Sequence, residues 1–528
     1  MKPFDARGAF RPTANGDELR RLAVQGAGAT VLASALGLAI QVIATIVLAR
    51  LLAPADFGVV AMVTTFSLLL MNFGLNGFTE AVIQREEIND ALVSNLFWIN
   101  IGVASLFTIG FAAAGSLLAR FYGDARVAPV AIGLSATIFI TSTSVQHLAL
   151  LKRAMRFPAL SALDIFTRAV SVTGSIILGW AGWGYWALVA GAVAQTLVTS
   201  FGAWSLCRWV PRRPRSVAGT LSMVRFAINI YARFSVNYFA RDMDKLLVGW
   251  RFNASALGFY KKAYDLFALS ASQLVSPLTN VAVAALSRLN RDSTQYRQYL
   301  LGALAVIAFV GMGVGADLTL VGGDVIRLLL GPGWETAGRI FTFFGPGIGV
   351  MLLYGTHGWI HLSIGRADRW FRWGVIEVTV TGLLFILGLR WGPGGVAVAW
   401  AASFWLLTIP AFWYAGRPIH LGIAPVIAAV WKYILASLLA GCVSAVIVRE
   451  LPPFDGLSSP VAAVTRIIIT SILFGSQYLG VVVLLHHGFR PLHQVVGLLR
   501  AMTAGSRISR TTSSVALTCG TDPSEAVS

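Results

Sequence analysis

The stretch VLASALGLAIQVIATIVLARLLAPADFGVVAMV (31–63) sets the architecture. Its first nineteen residues carry no charged side chain. At 1.5 Å per residue, a helix of that length approaches the ~30 Å hydrocarbon thickness of a bilayer. Arg50 ends the run, Pro54 and Asp56 mark a turn, and a second apolar run follows at once. Two spanning helices on a short link form a membrane hairpin. The pattern continues along the chain: 528 residues are 56% apolar and only 12% charged, against roughly 25% charged in a soluble domain. The fold class is therefore all-α, a polytopic membrane protein with no room for a sizeable soluble catalytic domain.

Fourteen apolar spans are expected. A polar N-terminal segment (1–26) precedes six of them (27–206). A basic linker (207–224) leads to six more (225–415), two further spans occupy 431–486, and a Ser/Thr-rich tail (487–528) closes the chain. The polar start and the long first apolar run do not have the form of a cleavable signal. An even number of spans puts both ends on one side. If that side is cytoplasmic, its segments hold 26 Lys and Arg and the opposite loops 11, with Arg168, Arg233, Arg241 and Lys245 inside spans. Surplus Lys and Arg on the cytoplasmic side is the rule for membrane proteins. It accounts for the net charge of +18 without nucleic acid. Cys207, Cys442 and Cys519 are too few and too scattered for a disulfide framework or a metal cluster.

The opening motif has an echo. RLLAPADFGVVAM (50–62) is matched by RFNASALGFYKKA (251–263), and GWGYWALVAG (182–191) by PGGVAVAWAA (393–402), at offsets of about 200 and 211 residues. The chain thus reads as two similar six-helix lobes in parallel orientation, a plan under which transporters place substrate between halves.

Charged groups cost at least ~2.5–3.5 kcal/mol in hydrocarbon, so those within spans call for a cavity or a partner. In the seventh span, Asn229, Arg233, Asn237, Arg241 and Asp244 share an arc of about 120°. Arg233 lies about 12 Å in from Arg225, near the bilayer middle. Asp244 follows Arg241 by three residues, the spacing of a local ion pair. The stripe forms either the cationic floor of a water-filled cavity or a lock onto a neighbouring helix. Asp164 and Arg168 in the fifth span are spaced i,i+4 and can pair. Glu377 and Asp317 are lone carboxylates, candidates for a coupling proton or cation or for structural pairing. His357 and His361 have ligand spacing without a third ligand, so no metal is expected. There is no Walker loop, no nucleophile–base–acid set and no cofactor motif, which leaves no enzyme chemistry to assign.

Several segments together resemble one family: VLARLLAPADFGVVAMV (47–63), LLKRAMRF (150–157), GYWALVAG (184–191), NYFARDMDKLLVGWRFNASALGFYKKAYDL (237–266) and LSRLNRD (286–292). They resemble the polysaccharide-transporter (PST) branch of the MOP superfamily, and within it the Wzx-type lipopolysaccharide and exopolysaccharide flippases. The family's seventh-helix pattern falls on Asn237, Asp244, Lys245, Gly249, Leu257, Gly258, Tyr260, Ala263 and Tyr264. The likeness spans roughly 20–450; the N-terminal extension, the loop 416–430 and the tail match no family pattern.

The resemblance implies a MOP flippase fold, with about 14 transmembrane helices in two six-helix lobes around a central cavity plus two C-terminal helices. It implies that undecaprenyl-diphosphate-linked oligosaccharide repeat units are moved from the cytoplasmic to the periplasmic leaflet of the bacterial inner membrane. The products would be exopolysaccharide, capsule or O-antigen, and the expected partners are the lipid-linked substrate, membrane lipids and polysaccharide polymerase or export proteins. Arg233, Asn237, Arg241 and Arg168 are the expected substrate contacts, Asp244 and Asp164 the supporting ion pairs, and Glu377 the coupling carboxylate should a proton or sodium ion drive transport. The competing readings are a multidrug or small-cation exporter of the MATE branch, which needs an acidic cavity, and a non-transporting component or polymerase of polysaccharide assembly.

Overall fold

The computed structural model describes residues 1–10, 16–290, 292–450 and 459–489. Among them the chain is helical, apart from isolated bridges at Phe4–Phe10 and Ala9–Asn89. In order, the helices are α1 (Gly16–Leu51), α2 (Pro54–Asn72), α3 (Thr79–Gln84), α4 (Asp90–Ala113), α5 (Gly115–Tyr122), α6 (Val127–Arg153), α7 (Phe157–Trp180), α8 (Tyr185–Leu206) and α9 (Thr220–Arg251). Then come α10 (Ala254–Leu289), α11 (Ser293–Leu330), α12 (Glu335–Gly355), α13 (His357–Ser363), α14 (Ala367–Gly388), α15 (Gly392–Gly416), α16 (Ile423–Glu450) and α17 (Ser459–Leu485). The first helix begins earlier than its apolar span, because helical hydrogen bonding continues through Glu18 and Arg20 outside any hydrocarbon. A π-helical turn, Phe73–Phe78, joins α2 to α3.

Eleven segments of the described residues are long and apolar enough to cross a membrane. One of them, 368–419, contains both α14 and α15. α9 and α10, at 32 and 36 residues, are long enough but not among the eleven. In α9 the reason is the polar stripe itself. Length and apolarity therefore do not by themselves give the expected fourteen.

The helices fall into two units. The first comprises Met1–Ser270, Gly322–Phe344 and Gly374–Ser403. Within it α7 packs on α1 and α8, and α6 on α2, α4 and α8. Its buried core includes Phe78, Leu92, Leu96, Phe97, Leu150 and Trp209. Small residues set the closest approaches, as expected where lipid removes the hydrophobic drive between helices: Ser171 Oγ donates to the Gly191 carbonyl at 2.8 Å. The second unit comprises Ala271–Val321, Gly345–Trp373 and Phe404–Ser528. There α16 packs on α17, Tyr478 donates to the Phe309 carbonyl at 2.7 Å, and Asp317 accepts from Ser471 at 3.1 Å. Large apolar side chains such as Leu106, Trp180 and Phe201 are exposed, which fits a lipid-facing surface and not a wetted one.

One face of the first unit is polar and built. The Met1 ammonium donates to the Leu206 carbonyl at 2.7 Å, and Arg208 N–H to the Met1 carbonyl at 3.0 Å. Asp90 accepts from Trp209 Nε1 at 2.7 Å and pairs with Arg212 at 2.6 Å. Arg153 donates to the carbonyls of Val82, Ile83, Arg85 and Glu86, closing the end of α3. The N-terminal residues, the α3–α4 link and the 207–219 linker therefore share one side.

Candidate substrate-binding site

The candidate residues lie in the first unit, on α2, α7, α9 and the part of α10 up to Ser270. A two-residue link, Phe252–Asn253, joins α9 to α10, and Asn253 Oδ1 caps α10 by accepting from Ala256 N–H at 2.9 Å. α2 has the matching device: Asp56 accepts from Ala53 N–H at 3.0 Å, with Pro54 opening the helix. These two helix starts are the repeated sequence motif, and they meet reciprocally. A Cβ on Gly58 would stand 1.7 Å from the Ala254 carbonyl oxygen, and one on Gly258 would stand 1.9 Å from that of Pro54. At an offset of 200 residues Gly58 corresponds to Gly258 and Pro54 to Ala254, so the two contacts are images of each other.

The crossing fixes the depth of the α9–α10 polar groups. Asp244 lies two turns before the link and Tyr260 two turns after it, so an antiparallel pair brings them level. Tyr260 donates to Asp244 Oδ2 at 2.8 Å, and Lys245 N–H donates to Oδ1 at 2.8 Å. Both carboxylate oxygens of this buried residue are thus satisfied without an arginine. The expected pairing of Asp244 with Arg241 is not formed: a buried hydroxyl on the next helix takes the place. Lys245 Nζ pairs with Asp242 at 2.5 Å and stands 4.2 Å above the Tyr264 ring. Lys261 pairs with Asp265 at 2.7 Å, and Lys262 stacks 4.1 Å above Phe57 of α2.

Arg241 is exposed and has no ion-pair partner among the described residues. The side chains of Arg233 and Asn237 lie outside the described residues; both positions are in α9. Arg168 pairs with Asp164 at 2.9 Å, as their spacing predicts, with both side chains close to half exposed. Gly37 of α1 opens room beside this arginine. No described contact joins Arg168 to Arg241. Glu377, on α14, is half-buried. Sequence reasoning placed Tyr260 only within the family pattern and did not pair it with Asp244, and it left Asp242 out of the site; both partners lie in contacts that spacing along one helix does not register. Outside the spans, Arg126 holds the Asp124 carboxyl below its ordinary range through two side-chain hydrogen bonds, and burial pushes the Cys207 thiol up to about 12.

The helical fold, with its eleven segments long and apolar enough to cross a membrane, matches that of a solved flippase and of a solved transporter of the MOP superfamily. Lipid II flippase MurJ in an inward closed conformation aligns with a TM-score of 0.67 at 14% identity, covering 86% of this chain and 98% of that one. A multidrug-resistance MATE transporter in an inward-facing conformation aligns at 0.55 and 13%, covering 72% and 94%. These neighbours are transporters and a flippase, not enzymes, and they establish the fold. The chain belongs to the family described as polysaccharide biosynthesis protein, whose model matches residues 47–338. It is 24% identical over 343 residues to the teichuronic acid biosynthesis protein TuaB of Bacillus subtilis, 64% of this chain and 69% of that protein. It is 22% identical over 370 residues to the succinoglycan biosynthesis transport protein ExoT of Rhizobium meliloti (70% and 74%). Against the lipopolysaccharide biosynthesis protein WzxC of Escherichia coli the figures are 21% over 324 residues, 60% and 65%.

Proposed function

We propose that this protein is a flippase that moves polyprenyl-diphosphate-linked oligosaccharides from the cytoplasmic to the periplasmic leaflet. The observation that carries the reading is Arg241: an exposed arginine that makes no ion pair among the described residues, on the polar helix α9 of a chain that belongs to a polysaccharide biosynthesis family. A diphosphate and a cluster of hydroxyls are costly in hydrocarbon. A guanidinium replaces water around phosphate with a fork of donors and keeps its charge when partly buried. In this account Arg233 and Arg241 hold the diphosphate, Asn237 orients it, and Arg168 joins them when the lobes rock in alternating access. α9 and α10 then add two crossings to the twelve of the apolar segments, in which 368–419 crosses twice, giving fourteen. Asp244 acts as a fixed strut of the α9–α10 hairpin.

Both termini and the 207–224 linker face the cytoplasm of an inner membrane, a placement supported by the basic bias of those segments. With the cytoplasm negative, outward movement of an anion is favoured by ~2.3 kcal/mol per charge per 100 mV, so a diphosphate needs no coupling ion in principle; Glu377 is the carboxylate to test for one. Polymerase and export proteins are the partners to which the product passes. Drug export would need free acidic groups, and Asp244 and Asp164 are both engaged.

The test is complementation of a strain lacking the gene. Arg241→Ala and Arg233→Ala are each expected to abolish polymer output at unchanged protein level. Wild-type output from both variants would refute the cationic site.

A further inference from the structure

Between α4 and the start of α9 the first unit holds a groove of about 760 Å³, lined among others by Asn95, Trp98, Pro214, Arg215, Thr220 and Leu221. It is separate from the stripe on α9, and its walls are already fixed by the protein. Asn95 spends its whole amide on the linker: Oδ1 accepts from Arg215 N–H at 3.0 Å, and Nδ2 donates to the Arg215 carbonyl at 2.6 Å and to Thr220 Oγ at 3.2 Å. Trp98 donates to the Arg212 carbonyl at 2.8 Å, which sets its ring as a wall. Of the linker arginines, Arg212 is committed to Asp90. Arg213 and Arg215 are exposed and make no ion pair among the described residues. The other wall is apolar and open, with Leu221 71% and Trp98 43% exposed.

The groove lies where α8 has ended at Leu206 and α9 begins at Thr220, which is the surface level of the bilayer whichever way the chain is oriented. A tryptophan at that level is the usual interfacial anchor. The start of α9, where Thr220 N–H donates to the Val217 carbonyl and the N-cap Gly219 in the left-handed region brings no side-chain cap, adds a positive dipole end. A basic rim over an apolar wall at a membrane surface matches one class of ligand, an amphiphile with a phosphate head. The volume suits a small headgroup with the first part of an acyl chain, not an oligosaccharide of several sugars.

We propose that this groove is a binding site for an anionic glycerophospholipid. Arg215, which lines the groove, holds its phosphate, with Arg213 of the adjoining linker adding positive charge, and Trp98 and Leu221 hold the proximal acyl chain. The lipid fastens the connection between the two halves of the chain to the membrane surface. This inference does not depend on the flippase reading.

The full-length protein, purified and stripped of lipid, is incubated with equimolar phosphatidylglycerol and phosphatidylcholine, and retained lipid is counted by native mass spectrometry. Wild type is expected to retain phosphatidylglycerol at least fivefold over phosphatidylcholine. The exposed double variant Arg213→Gln/Arg215→Gln is expected to lose that preference, while Arg120→Gln, an exposed charge removal on α5, keeps it. Leu221→Asn is expected to lower retention of phosphatidylglycerol with the arginines intact. Equal retention of the two lipids by wild type, or an undiminished preference in the double variant, would overturn the proposal.

Discussion

Arg241 carries the chemistry proposed here, and its loss has a calculable size. A charge-assisted contact to phosphate contributes about 1.5–3 kcal/mol, so Arg241→Ala should weaken binding of a diphosphate lipid by roughly 10–100-fold. Retention of substrate by the detergent-solubilised variant would measure it. Arg241→Lys should recover only part, because an ammonium lacks the planar fork. Asp244 predicts the opposite phenotype. Asp244→Ala leaves the buried Tyr260 hydroxyl without its acceptor, costing about 1–3 kcal/mol. It should lower the midpoint of thermal unfolding, followed by intrinsic fluorescence, before it affects substrate contact; an unchanged midpoint would show that the strut is dispensable. Cys207 offers a simple check on burial. A fully buried thiol raised to about 12 should resist iodoacetamide at pH 8 in folded protein and react once the protein is denatured. At this scale the sequence was partly legible. Asp164–Arg168 could be read because both partners lie on one helix. Asp244–Tyr260 could not be read from helical spacing, which is blind to the neighbouring helix.

Among elements, the α2–α10 crossing is the feature that sequence and structure describe together. The repeated motif at 50–62 and 251–263 marks two helix starts, and each supplies the glycine that receives the other's carbonyl. Gly58→Ala or Gly258→Ala places a methyl into backbone at under 2 Å and forces the helices apart. A destabilisation of about 1–3 kcal/mol is expected for each. Gly441→Ala on α16, where a Cβ meets nothing within 4 Å, should be neutral or mildly stabilising through helix propensity. Equal midpoints for all three variants would contradict the reciprocal contact. The π-helical turn at Phe73–Phe78 was not visible in advance. Its cause is tertiary: Gly74 and Gly77 admit Asn100 of α4 and the Ala227 carbonyl of α9 within 3 Å of where a Cβ would stand. Apolar periodicity cannot register so close an approach. For α9 the same polar stripe that pointed to function also kept the helix below the apolarity of its neighbours.

For the molecule as a whole, membrane class was legible from composition and fold superfamily from motif resemblance, while the two compact units were not. Residues distant in sequence, such as Trp334 and Ala49, meet within the first unit at 2.9 Å, and no local pattern announces such pairs. The orientation makes its own prediction. Single cysteines placed at Arg213 or Lys152 should be shielded from a membrane-impermeant maleimide in intact spheroplasts, and cysteines at Gly123 or Gly182 should be labelled. The reverse pattern would invert the topology and with it the direction of transport. The central claim is tested most directly by locating the lipid-linked oligosaccharide across the membrane. In spheroplasts of a strain lacking the gene, a periplasmic glycosidase should leave the completed lipid-linked repeat unit intact, and re-expression of the wild-type protein should make it cleavable. Full cleavage without the gene, in a strain with no second flippase for that lipid, would contradict the account.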